Sequence, residues 1–131
     1  MRVLKSNELT SSAVNLQIHA TDALGLGGAC HNYEIWRLGR GEQPAGAPLV
    51  PCEKLADFKF QNGGIQEVGV NGVTHEALLA VVIDRLEQFQ AGSYPSLHND
   101  QALLFAKLAL NALHQRTAER MKRGVEGQVK A

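Results

Sequence analysis

The sequence lacks most of the features that announce chemistry. Its two cysteines, Cys30 and Cys52, form no C-x-x-C pair, which argues against a disulfide framework in a chain of 131 residues with no secretion signal. The five histidines (His19, His31, His75, His98, His114) show no H-x-x-x-H spacing, so no metal site and no cofactor are expected. There is no Walker loop. Gly25-Leu26-Gly27-Gly28 lacks the third glycine of a dinucleotide fingerprint, because Cys30 stands there, and no βαβ unit surrounds it. It reads as a flexible turn between strands. No Ser-His-Asp order and no paired carboxylates emerge, so nothing in the chain asks for an enzyme. No apolar run approaches the ~20 residues of a membrane span, and Met1–Ser6 leads into mixed polar residues rather than the apolar stretch of a signal peptide. The expectation is a cytoplasmic protein. A formal net charge of +0 gives no support for DNA or membrane-surface binding.

What is present is a change of period near Asn71. Before it, 15–20 and 31–38 alternate as strands do, and 56–60 reads as a third strand. The Gly-, Pro- and Ala-rich 39–51 reads as a loop. Asn62-Gly63 is a turn signal because both residues tolerate positive φ, and Ile65–Val70 is expected to return as a short fourth strand. After Asn71-Gly72, Thr74 is placed to cap a helix with Glu76 in its first turn. Leu78, Val82, Leu86 and Phe89 follow as one face, widened by Leu79 and Ile83. Gly92 and Pro95 end that helix. Asn99 or Asp100 is expected to cap a second, whose apolar residues go most of the way round; such a helix wants more than one partner surface, and another subunit is a plausible second. Gly124 closes it, and the tail beyond is expected to be mobile. The fold class is therefore α+β: one domain over 1–131, with a small antiparallel sheet in 1–70, an antiparallel helical hairpin in 71–127 and a tail in 128–131.

Three features of the hairpin could carry binding. Phe105, Ala109 and Leu113 continue at helical spacing to Arg116 and Arg120, one turn apart. From Asn111 onward five basic residues (Arg116, Arg120, Lys122, Arg123, Lys130) face two acids (Glu119, Glu126). Two such guanidiniums suit a phosphate or pyrophosphate; equally, they suit the negative end of a helix dipole. Phe89 offers a ring for a nucleobase or a core contact at helical spacing. Asn99 offers an amide that reads a base edge or ribose hydroxyl, or a helix cap. Asp84 and Glu87 read as the wet face of the first helix.

The stretch from Phe60 to Thr74, with Arg85-Leu86, Phe89-Gln90, Arg116-Thr117-Ala118-Glu119-Arg120 and Arg123 to Gly127, resembles the phage anti-Thoeris protein 1 family. The correspondence runs without gaps from Phe60 to Gly127, about half the chain, and Gly27 to Tyr33 looks like the family's Gly-rich segment before a His-x-Tyr strand. The resemblance implies a sponge that binds glycocyclic ADP-ribose without cleaving it. It further implies a small sheet on a helical hairpin, a fold shared with an anti-CBASS sponge, and a homohexamer. Some members also hold cyclic trinucleotides in a separate site. Carried over residue by residue, it makes Phe89 the base-stacking aromatic, Asn99 the ligand-contacting asparagine and Arg116 and Arg120 the paired arginines, with His31 as a weaker ligand contact. The chain departs from the family where Leu97 and His98 replace an Arg and an acid, Ala112 replaces a Trp, and Gly64 replaces a Pro. These departures leave open the preferred nucleotide and the second site. A hydrolase of the same messenger and a purely structural oligomer remain as alternatives.

Overall fold

The computed structural model describes residues 1–6 and 15–129. The chain divides into two compact units, Met1–Asn62 and Gly63–Ala131. The fold is α+β, a four-stranded antiparallel sheet followed by two packed helices, as the change of period implied.

In the first unit β1 (Arg2–Val3), β2 (Leu16–Ala20), β3 (Asn32–Gly39) and β4 (Val50–Lys59) pair in chain order. The alternation that marked β2 and β3 sets their register: Ile18 lies opposite Ile35 and Ala20 opposite Tyr33. On β4, Phe58 stands opposite Tyr33, and the two rings stack at 5.7 Å with Phe60 edge-on to both. Two strand readings need correcting. β1 is too short to alternate and escaped notice. β4 begins at Val50, well before Ala56, because Pro51, Glu53 and Lys54 disguise it. They are tolerated because β4 is an edge strand, where proline loses no ladder bond and charge discourages further pairing. Lys54 pairs with Asp57 at 2.7 Å and Arg37 with Glu53 at 3.0 Å.

The glycine-rich segment between β2 and β3 forms a 3-10 turn at Leu26–Gly28, where Gly27 and Gly28 take φ of 79° and 77°. Asp22 ties down its far end. Its carboxylate accepts the backbone N–H groups of His31 (2.9 Å) and Asn32 (3.0 Å). Cys30 and His31 are buried, as are His19 and Ala20 of β2.

The second unit opens with α1 (Ile65–Val68), where a strand was expected. Six residues bounded by glycines are too few for period to decide, and Gly69 at φ 77° stops the helix after one turn. α2 (His75–Ala91) starts on Thr74, whose Oγ1 accepts the Ala77 N–H at 3.2 Å, and stops at Gly92. α3 (Leu97–Lys122) is capped by Ser96, which accepts the Asn99 N–H at 3.0 Å. The cap therefore stands ahead of Asn99 and Asp100, which lie in the first turn. Gly124 at φ 73° follows the last turn.

The segment 125–129, expected to be mobile, is held. The Gln66 N–H donates to Gly127 O at 2.9 Å, and its side-chain amide to Glu126 O at 2.7 Å. A Cβ on residue 64 would run into Gly127 O, so the close approach requires Gly64. Residues 130 and 131 lie outside the described residues.

α2 and α3 pack against each other, and their less exposed positions recur at helical spacing: Leu79, Ile83, Leu86 and Gln90 on α2, and Asn99, Leu103, Ala106, Leu110, Leu113, Thr117 and Arg120 on α3. This seam is narrower than the apolar pattern. Val81, Val82 and Phe89 on α2, and Leu104, Phe105 and Leu108 on α3, are exposed. Among the described residues the buried hydrophobics are Ala20, Cys30 and Ile83.

Candidate ligand-binding site

The loop end of the hairpin is tied by side-chain hydrogen bonds. Gln90 clamps it: its Nε2 donates to Ser96 O (2.9 Å) and to Asp100 Oδ1 (2.6 Å), and its Oε1 accepts the Ser96 N–H (3.0 Å). One residue earlier, Phe89 is turned outward and is 41% exposed. It lines an open cleft of about 340 Å³ with Asp84, Arg85, Gln88, Gly92 and Ser93. The guanidinium carbon of Arg85, one turn back on α2, sits 5.5 Å from the ring centroid, a cation–π contact. Asn99 lies near this end, in the first turn of α3. Its backbone N–H is used by the cap, and its side-chain amide has no hydrogen-bond partner among the described residues.

The two arginines stand elsewhere and differ from each other. Arg116 is 17 residues beyond Asn99 on a continuous helix, which separates them by ~25 Å at 1.5 Å per residue. Arg116 is exposed and makes no ion pair among the described residues. Arg120 is only 6% exposed. Its Nε meets Glu126 Oε2 at 3.2 Å, and its Nη2 donates to Val125 O (3.0 Å) and Gln128 O (2.7 Å). A step of four residues advances ~40° beyond a full turn, and the edge of the seam falls between the two. The sequence spacing had both guanidiniums projecting together on one side; the boundary between wet and buried falls between them, with Arg116 exposed and Arg120 buried.

His31 lies in the other unit, buried, with its Nδ1 3.9 Å from Asp22 Oδ2. The backbone bonds from Asn32 and His31 hold the Asp22 carboxyl below its ordinary value of 3.8. That unit carries its own cleft of about 360 Å³ on the sheet, lined among others by Asn32, Tyr33, Phe58 and Lys59. The structure thus brings Phe89 and Asn99 to one end of the hairpin and leaves Arg116 and Arg120 at the other end of the same chain. Sequence reasoning gave no site role to Arg85, Gln88 or Ser93; Asp84, read as part of the wet face, is exposed and lines the cleft. Arg85 carried a signal, its i,i+4 spacing to Phe89; the others carried none.

The chain is 40% identical over 103 residues to the protein named Thoeris anti-defense 1 from Bacillus phage SBSphiJ7, an alignment covering 64% of this chain and 72% of that protein. The chain belongs to the Thoeris anti-defense 1 family. No protein-family model matches it. In this Thoeris anti-defense 1 homologue the ring of Phe89 and the guanidinium of Arg116 are exposed, and the Asn99 amide has no partner among the described residues. Among the described residues no helix is long and apolar enough to cross a membrane.

Proposed function

We propose that this protein is a phage anti-Thoeris sponge that binds a cyclic nucleotide signal of the glycocyclic ADP-ribose class and holds it uncleaved. Kinship with a protein named for defeating Thoeris supports the anti-defence role. The observation that carries the binding mode is the outward ring of Phe89 in a cleft at the loop end of the hairpin. A purine stacked there gains ~1–3 kcal/mol. Asn99 offers donor and acceptor to the base or a ribose hydroxyl, and Arg116 offers a planar fork to the pyrophosphate.

In this reading the site is made by more than one chain. Arg116 is ~25 Å from Asn99 along one helix, farther than one cyclic dinucleotide-sized ligand spans, so the guanidinium facing a ligand on Phe89 comes from another copy. The exposed face of α3 provides for that copy: Leu104, Phe105 and Leu108 are each more than half exposed and form a stripe that leads, through Ala112, to Arg116. The assembly in this reading is a homohexamer. Arg120 fixes the C-terminal turn beside Arg116, and His31 fixes the glycine-rich turn of the sheet unit.

The test is recovery. The protein is incubated with glycocyclic ADP-ribose, freed of unbound ligand, heated, and the supernatant chromatographed. Intact ligand in stoichiometric amount is expected. A linear product would replace the sponge by a hydrolase, and no retained ligand would leave only a structural oligomer.

A further inference from the structure

We infer that Arg85 is a further anion-binding group of the Phe89 cleft, the one its own chain supplies beside the Arg116 of another copy: it lies on the ring while the cleft is empty and moves onto the phosphate of a nucleotide whose base takes its place. The inference rests on the sponge reading and adds a residue and a specificity to it.

Three observations carry it. First, Arg85 is exposed and its Cζ is 5.5 Å from the Phe89 centroid, so it shares the surface on which a base would stack. Second, its guanidinium forms no ion pair among the described residues, although Asp84 precedes it and Glu87 lies two residues on. Glu87 faces Lys107 instead, at 4.0 Å. The cation–π contact is therefore what holds Arg85 in the free protein, and such a contact at an exposed site is weak enough to exchange. Third, Arg85 is the arginine at this end of the hairpin, with Arg116 ~25 Å along α3 from Asn99. A nucleotide stacked on Phe89 thus finds within one chain a cation for its phosphate, a carboxylate (Asp84) for ribose hydroxyls or an exocyclic amine, and an amide and a hydroxyl in Gln88 and Ser93. The cleft selects for a base joined to a phosphate and discriminates against the uncharged nucleoside.

Calorimetric titration of the wild type, Arg85→Gln and Arg85→Lys with cyclic ADP-ribose isomers and with adenosine tests this, with a thermal melt of each variant as control. Arg85→Gln keeps the chain length and helix propensity while removing the charge. The expected result is a roughly 10- to 100-fold loss of affinity for the best-bound isomer, the range for one charge-assisted contact, with a shallower dependence on salt and no weakening of adenosine. Arg85→Lys should recover part of the loss. Unchanged affinity and salt dependence in Arg85→Gln, or equal weakening of adenosine, would overturn the assignment and leave Arg85 a surface helix pair. Should the wild type bind no isomer at all, the sponge reading itself fails and Arg85 with it, an outcome distinct from wild-type binding that ignores residue 85.

Discussion

At the scale of single residues, the two arginines of the R-T-x-x-R segment differ in setting, Arg116 exposed and Arg120 buried among its own chain's C-terminal turn, and the proposed function gives the ligand to Arg116. Arg116 is exposed and unpaired, so Arg116→Ala should leave the melting temperature nearly unchanged while weakening the ligand by roughly 2–4 kcal/mol in calorimetry. Arg120→Ala should do the reverse first. It strands Glu126 and two carbonyls of the C-terminal turn, and a denaturation curve should show a loss of roughly 2–4 kcal/mol, below the full figure for a buried pair because Glu126 is partly wet. Equal stability losses in the two variants would contradict this division. Asp22 gives a pH signature. Its carboxyl lies below its ordinary 3.8 because Asn32 and His31 donate to it. The stabilisation is present above that value and is lost as pH falls through the folded pKa. Hydrogen exchange should therefore show the amides of His31 and Asn32 losing protection below about pH 4.

At the scale of elements, the sequence made the two long helices and two of the strands plain, since Thr74, Gly92 and Gly124 are stop and start signals with local causes and alternation fixes β2 and β3. The failures have two origins. α1, β1 and the start of β4 carry too short or too mixed a pattern for period to decide, while the ordered tail is settled by contacts with α1 far along the chain. Gly64 shows this best. As a letter it is only a missing proline; in the fold it is the space that Gly127 enters. Gly64→Pro should release residues 125–129 from α1, seen as faster proteolysis of the C-terminal turn and a lower melting point; unchanged resistance would mean that the tail is held without that approach. The candidate site was half legible. Phe89 and Asn99 could be named by resemblance and position, but their distance from Arg116, and the presence of Arg85 on the ring, needed the helices to be placed.

At the scale of the whole molecule, few hydrophobic side chains are fully buried, while Phe105 is 65% exposed on a helix whose opposite face is already packed. Monomeric proteins rarely leave such a stripe open. If the proposed homo-oligomer forms on this face, Phe105→Asp should split it in sedimentation and abolish ligand binding together, because in that proposal the same face supplies Arg116. An intact assembly, or binding by the dissociated chain, would contradict a site shared between copies. The most direct measurement combines two defects. Phe89→Ala and Arg116→Ala chains are expressed separately and together, and each preparation is titrated with glycocyclic ADP-ribose. Each variant alone should bind weakly, and the co-expressed mixture should regain a fraction of tight sites where an intact Phe89 of one chain meets an intact Arg116 of another. A mixture as weak as its parents, beside a wild type that binds tightly, would contradict the shared site.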